Sequence, residues 1–322
     1  MNGAFWKFWD RFGLATIILT GSLALAAAQP NFRTVDNLTN VINQAAIVAI
    51  SGAGMTYAIA AGVFDLSVGS ILAFAACIGA SVVNRGGVAE SVLAALAVGC
   101  GLGLANGLIV TKLRVPALIA TLGTMAVIRG VVLLYTGGRD ITIAAAKIDR
   151  YSVIGGGHLL GVPAPIMLML FTYALLYVLL RHVPFGRHVC AVGSNAQAAL
   201  SSGLNVDRIL IGVFVLVGAT AALSGVIQTS QIKGVSGATA GLTFELQAIS
   251  VVVLGGTSLK GGRGRLFGTM LGAILVAVAN NALNLYNTPA YYQRLVMGMI
   301  LLLAVAIDGL RRGGPRHLGI EP

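Results

Sequence analysis

Charge is what this chain lacks. Only 10% of its 322 residues are Asp, Glu, Lys or Arg, while 57% are hydrophobic; an ordinary soluble domain carries about 25% charge. The mean hydropathy is +0.90. An ordinary cytosolic enzyme is excluded by that balance. Cysteine is also scarce and odd in number, three in all, with Cys77 and Cys100 inside apolar runs and Cys190 in a polar loop. No disulfide framework is suggested. A catalytic constellation is missing as well: His158, His182, His188 and His317 all fall in loops or tails, with no metal-ligand spacing and no cysteine placed to share a zinc ion. Neither a metal nor a resident cofactor is expected.

The apparent phosphate loop, Gly255-Gly256-Thr257-Ser258-Leu259-Lys260-Gly261-Gly262-Arg263-Gly264-Arg265, has the wrong order. In a nucleotide-binding P-loop the lysine follows the last glycine and a hydroxyl residue follows the lysine. Here Lys260 precedes its glycines, so the segment reads as a tight turn whose basic residues anchor helix ends. The net charge of +11 does not indicate nucleic acid either, because the basic residues are scattered between apolar segments in the manner of membrane topology.

What the chain has in abundance is long apolar runs. Ten are placed at 12–28, 41–60, 68–83, 89–110, 116–136, 165–181, 209–228, 244–256, 266–284 and 294–310, where a crossing needs about 20 residues. The expected fold is an all-α integral membrane protein of about ten transmembrane helices, with residues 1–322 forming a single transmembrane domain. The eighth segment is short and the third marginal, which points to irregular helices of the kind found at transport sites. The first 28 residues resemble a signal peptide, with Lys7, Arg11 and then Ala26-Ala27-Ala28, but the stretch is long enough to remain as a span.

Basic residues orient the chain. With the N-terminus in the cytoplasm, 13 of the 21 Lys and Arg fall on inside segments, Arg312 and Arg316 among them, and seven on outside loops. The bias places both termini in the cytoplasm. Two connections are long. The outer one, 137–164, is suited to a cap or docking surface. The inner one, 181–208, contains the helix-forming run Ala196-Gln197-Ala198-Ala199-Leu200-Ser201, with Ser194 or Asn195 as N-cap and Gly203 as a stop.

Glycines at four-residue spacing, Gly99, Gly103 and Gly107, and again Gly268 and Gly272, suit close helix packing in lipid. A dinucleotide fingerprint would need a preceding strand. Asp65 lies between apolar spans and must face protein or water. Two roles fit it, capping the third span with Ser67 or contacting cargo or a partner chain. Arg129 lies within the fifth span, where Thr121, Thr124 and Ile128 make a partly polar stripe. Asn106, Asn280, Asn281 and Asn284 are either interhelical hydrogen-bonding groups or a wall of the permeation path. Glu245 and Gln247 are placed at its entrance.

Several runs carry a resemblance. Gly54-Met55-Thr56-Tyr57 is followed by Phe64-Asp65-Leu66-Ser67-Val68-Gly69-Ser70, then by Val115-Pro116-Ala117-Leu118-Ile119-Ala120-Thr121-Leu122-Gly123-Thr124-Met125 with Arg129-Gly130. Phe185-Gly186-Arg187, Gly193-Ser194-Asn195 and Ala198-Ala199 with Ser202-Gly203 come next. Val253 to Leu259, Gly261 to Gly264, Asn281 to Leu285 and Tyr291-Tyr292-Gln293 complete the series. Together they resemble the ribose, arabinose, xylose and galactose permeases of bacterial ATP-binding cassette importers, over nearly the whole chain. One departure is Gln247 and Ser250, where that group leads one to expect an acidic and a small apolar residue.

The resemblance implies a non-catalytic, multi-pass subunit of the bacterial inner membrane that forms the path for a pentose or hexose. It implies a second permease subunit as partner, forming a homodimer, with a cytosolic ATPase that binds the ATP and a periplasmic sugar-binding protein. The coupling element would be Gly193, Ser194, Asn195, Ala198, Ala199 and Gly203. From the residues themselves, the candidates to line the path are Asp65, Asn106, Thr121, Thr124, Glu245, Gln247, Asn280, Asn281 and Asn284. A branched-chain amino-acid or nucleoside permease is the alternative, and a stand-alone carrier or channel a more distant one.

Overall fold

A computed structural model describes residues 3–311, so Arg312, Arg316 and His317 lie outside the described residues. Thirteen α-helices occur among them. They are α1 (Gly3–Ala28), α2 (Val35–Ala60), α3 (Val68–Arg85), α4 (Val88–Lys112), α5 (Ala117–Thr136), α6 (Ala145–Gly156), α7 (Ala164–Arg181), α8 (Pro184–Ser194), α9 (Ala196–Ser201), α10 (Val206–Ile232), α11 (Phe244–Leu254), α12 (Leu266–Leu285) and α13 (Ala290–Arg311). Four short strands, β1 (Asp140–Thr142), β2 (His158–Leu159), β3 (Val162–Pro163) and β4 (Gly234–Ser236), and a single 3-10 turn at Pro30–Arg33 complete the order.

A helix stands at each of the ten apolar segments read from the sequence. Seven of them, α2, α3, α4, α5, α7, α10 and α12, are long and apolar enough to cross a membrane. Shorter apolar stretches occupy α1, α11 and α13. The fold is therefore an all-α bundle of membrane type.

The core forms around α2. From Ala45 to Ala61 every residue except Val48 is buried, and α2 packs against α7, α10, α11 and α12. Several polar groups inside this core pair with one another, as most buried polar groups do. Ser51 Oγ donates to Ser224 Oγ at 3.0 Å, and Ser224 Oγ donates to the Ile47 carbonyl at 2.8 Å. Thr56 and Thr269 share a hydrogen bond of 2.8 Å, and the Tyr173 hydroxyl donates to the Ala49 carbonyl.

The glycine ridges pack as their spacing predicts. A Cβ on Gly99 would overlap the Gly218 carbonyl, one on Gly103 the Phe214 carbonyl, and one on Gly107 would lie 2.8 Å from the Ile211 Cα. Without side chains there, α4 and α10 lie backbone to backbone. Gly268 and Gly272 do the same for α12 against Gly255 and Val251.

One end of the bundle is capped by residues 137–163. Strand β1 pairs antiparallel with β4, Ile141 opposite Val235. Helix α6 is tied down by Gly155 N donating to Ser230 Oγ and by Lys147 Nζ donating to the Gly86 carbonyl. At the opposite end lie α8, α9 and the turn 255–265. Helix α9 matches the run expected from its cap residues, whereas α8 was not anticipated. Pro184 starts it at a position where a missing N–H costs nothing, and Gly186 is pressed against the Leu180 backbone.

Candidate translocation pathway and docking surface

The site begins with a helix that starts too late. Eleven residues in α11 span about 16 Å, roughly half of the 30 Å hydrocarbon thickness. The missing half is a non-helical segment, 237–243. It runs alongside α5, with Gly237 against Thr136 and the Ala240 carbonyl accepting from Arg129 Nη1 at 2.6 Å. Thr136 and Arg129 are seven helical residues apart, so the segment descends about 10 Å into the bundle. Gly241, at φ +67°, then meets the Gly69 backbone so closely that a Cβ would overlap it. Both α3 and α11 therefore begin inside the bundle. Irregular backbone at such depth is tolerated only where protein buries it or water reaches it.

A cavity of about 500 Å³ opens beside this segment. Gln44 of α2, Gln228 and Gln231 of α10, Ser236 and Thr239, Gln247 of α11 and Asn280 of α12 supply its polar lining, with Phe244, Ile47 and Val276 among its apolar walls. Among the described residues, no ionisable side chain lines it. A second cavity, about 390 Å³, adjoins it toward the α6 end and shares Gln44 and Gln231. Asn40, Asn43, Ser152 and His158 are among its walls.

Of the pathway residues read from the sequence, Gln247 and Asn280 reach the cavity wall. Asp65, Asn106 and Thr121 meet elsewhere, around the start of α3. Asp65 Oδ1 accepts from Ser67 N at 2.9 Å and from Ser67 Oγ at 2.6 Å, and Asn106 Nδ2 donates to Ser67 Oγ at 2.7 Å. Thr121 Oγ1 donates to the Phe64 carbonyl, at 3.4 Å, and to its own helix. This buried knot fixes where α3 begins. Thr124 bonds within α5. Glu245 sits in the first turn of α11 beside Gly69, in the field of Arg129. Asn281 and Asn37 exchange amide hydrogen bonds of 2.7 and 3.0 Å, and Asn284 accepts from Gln293 at 2.7 Å.

Gln44, Gln228 and Gln231 were missed by sequence reasoning. Their signal was nonetheless present: Asn40, Asn43 and Gln44 on α2, and Gln228 and Gln231 on α10, recur at helical spacing near the ends of apolar runs.

The expected coupling residues divide in two. Ser194, Asn195, Ala198 and Gly203 are exposed, and Asn195 Oδ1 caps α9 by accepting from Ala198 N at 2.9 Å. Gly203, at φ +82°, ends that turn. Ala199 is buried, and Gly193 is wedged against Ala60 and Gly262, where Gly262 N donates to the Ala60 carbonyl at 2.8 Å. Three pieces of chain are thereby locked together: the end of α2, the end of α8 and the glycine-rich turn 255–265. Burial pushes the nearby Cys190 thiol up, against smaller opposing effects of the Gly264 N–H and Arg181. An exposed Lys112–Asp207 ion pair of 3.0 Å lies next to α9, and such pairs contribute about 0–1 kcal/mol.

Residues 37–305 match the family described as branched-chain amino acid transport system / permease component. The chain belongs to this permease family. Among curated relatives, the permease is 41% identical over 301 residues to the ribose import permease protein RbsC of Haemophilus influenzae, covering 93% of this chain and 92% of that one. It is 40% identical over 311 residues to RbsC of Escherichia coli, 96% and 97% of the two chains. Similarity extends to the L-arabinose ABC transporter permease protein AraH of Azospirillum brasilense, at 35% identity over 325 residues and 99% and 93% coverage. No solved structure matches the permease.

Proposed function

We propose that this permease is the membrane subunit of an ATP-binding cassette importer and forms the path for a monosaccharide, a pentose or hexose. The observation that carries the reading is 40% identity to a ribose permease across 96% of the chain. The chemistry of the larger cavity supports it. A zwitterionic amino acid would need charged partners once desolvated, and this cavity offers amides and hydroxyls on apolar walls instead. That lining suits a neutral polyhydroxylated solute and disfavours the amino-acid alternative.

In this reading the ten helices cross the bacterial inner membrane, both termini and α9 lie in the cytoplasm, and the cap around α6 faces the periplasm. The permease hydrolyses nothing itself. ATP is bound by a separate cytosolic ATPase whose closure pushes on α9, while a periplasmic sugar-binding protein delivers cargo at the α6 end. The motion reaches the bundle through Gly193, which joins α8 to the end of α2 and to the turn before α12. A two-fold ATPase pair presents two docking sites, so a second copy of the permease completes the assembly. Nucleotide shifts the inward-open and outward-open populations only by its differential binding free energy.

Reconstitution of the permease with its ATPase and binding protein in proteoliposomes tests this. ATP-dependent uptake of ribose or L-arabinose is expected, with leucine excluded. Leucine uptake in place of sugar overturns the assignment.

A further inference from the structure

An ionisable side chain inside a membrane is costly, and it calls for a partner and a role. Arg129 of α5 and Glu245 of α11 are both half-buried, and each lies in the other's electrostatic field. Among the described residues, no ion pair joins them. The guanidinium is engaged instead by the Ala240 carbonyl, at 2.6 Å. The Glu245 carboxylate accepts from its own backbone N–H and lies against Gly69, where a Cβ would be 2.8 Å from Oε2. A Cβ on Gly69 would also overlap the Gly241 carbonyl. The carboxylate and the peptide next to Ala240 thus meet at one residue, so the two acceptors open to Arg129 are neighbours. Neither Arg129 nor Glu245 lines either cavity, and contact with cargo does not account for them.

The chain between the two acceptors is strained. Thr243 takes φ +62° at the N-cap position of α11, with no side-chain cap hydrogen bond. A β-branched residue at positive φ is a conformational outlier, and such strain collects at segments that switch between arrangements. Gly241, at φ +67°, supplies a second pivot that costs nothing sterically. Thr239, Ala240, Gly241 and Leu242 belong to the wall of the larger cavity. Whatever moves this segment moves that wall.

Building on the importer reading, we propose that Arg129 is a two-position latch and that Glu245 is its second station. In the arrangement described above, Arg129 holds the Ala240 carbonyl and segment 237–243 walls the cavity. In the other, Arg129 pairs with the Glu245 carboxylate, Ala240 is released, and the segment swings about Gly241 and Thr243 to open the chamber. Close packing of Gly241 on Gly69 favours the first arrangement. A guanidinium–carboxylate pair, stronger than a bond to a neutral carbonyl, and relief of the strain at Thr243 favour the second. Nucleotide on the ATPase tips this balance through its differential binding to the two. Glu245 is in this sense a positioning residue for transport.

The test uses the complete importer, with its ATPase and binding protein. Hydrogen exchange of the 237–243 amides is compared without nucleotide and with the ATPase trapped by ATP and vanadate. In the wild type, trapping is expected to speed exchange about tenfold, the order of a typical coupling between distant sites. Glu245→Gln keeps the shape and removes the charge. Its amides should stay as protected with nucleotide as without, and ATP-driven uptake of ribose or L-arabinose should fall about tenfold. Glu245→Asp, which keeps the charge on a shorter side chain, should recover part of both. Thermal unfolding in detergent should be unchanged in Glu245→Gln, because the hydrogen bond its carboxylate accepts comes from its own N–H. Should that variant fail to fold, Glu245→Asp carries the comparison. A nucleotide response of wild-type size in Glu245→Gln, with uptake unaffected, overturns the latch and leaves the importer reading intact. Wild-type exchange that ignores nucleotide while uptake proceeds does the same. Failure of ATP to drive any uptake by the wild-type complex overturns the importer reading and the latch with it.

Discussion

Arg129 Nη1 donates to the carbonyl oxygen of Ala240 at 2.6 Å, across 111 positions of sequence. A helix in the bundle thus holds a stretch of backbone that has no helix of its own to satisfy it. Hydrogen bonds to a charged group contribute about 1.5–3 kcal/mol. Replacement of Arg129 by Leu is expected to free segment 237–243, which hydrogen exchange would register as faster exchange of its amides, with uptake reduced. Lysine at this position should retain part of the effect, because it keeps the donor and loses the planar fork. Unchanged exchange in Arg129→Leu would show that other contacts suffice.

The α4–α10 contact separates two glycines in one helix. A Cβ on Gly103 overlaps the Phe214 carbonyl, whereas one on Gly101 meets nothing within 4 Å. Overpacking costs about 1–3 kcal/mol. Gly103→Ala is therefore expected to lower the unfolding temperature in detergent, and Gly101→Ala to leave it unchanged or slightly raised through better helix propensity. Equal behaviour of the two variants would contradict the backbone-to-backbone packing.

Asn37 and Asn281 bond reciprocally between α2 and α12. Such interhelical pairs in membranes contribute about 0.6–2 kcal/mol. Asn281→Leu should destabilise by that order and leave Asn37 Oδ1 without its donor, while Asn37 Nδ2 keeps the Phe32 carbonyl at 3.2 Å. The double change to leucine should recover much of the loss, since removing both partners is far cheaper than removing one. A double-mutant cycle on detergent-solubilised protein measures the coupling, and strict additivity would argue against the pair.

The α9 region allows packing and docking to be told apart. Gly193→Ala should destabilise the fold, because its Cβ has no room beside Ala60. Leu200 is 56% exposed, so Leu200→Glu should leave stability alone while weakening co-purification of the ATPase. Asn195→Ala removes the cap of α9, at a cost of about 1 kcal/mol, and should lower the coupling ratio of uptake to hydrolysis. Normal ATPase retention in Leu200→Glu would move the docking surface elsewhere.

Local pattern made much of this legible. Asn195 and Gly203 bracket a run of helix formers, and α9 lies between them. Gly99, Gly103 and Gly107 announce a face that admits another backbone, and α10 occupies it. The expected cap of the third span is met only in place: Ser67 stands at the N-cap position without a side-chain cap hydrogen bond, and Asp65 Oδ1 accepts instead from the N–H and hydroxyl of Ser67. Helix α8 escaped because its polar, charged residues break the apolar pattern that marked the others.

Asn280 and Asn281 show where local pattern ends. Adjacent in sequence and identical in chemistry, one lines a cavity and the other is bonded to Asn37, 244 positions away. A rotation of 100° around the helix axis separates them, and only the neighbours decide which direction is wet.

By itself, the sequence determined that the chain forms apolar helices of membrane length, which of them pack by glycine, and to which family of permeases they belong. Periodicity, capping residues and composition are local properties, and the helices and their glycine packing depend on them, whereas the family rests on the ordered motifs and on the match over residues 37–305. Tertiary structure decided that residues 237–243 descend into the bundle, that α11 starts at Phe244, and which amides face the cavities. In a membrane the lipid-facing and core-facing sides of a helix are both apolar, so an apolar stripe does not reveal which way a helix turns. Partners far apart in the chain settle the direction.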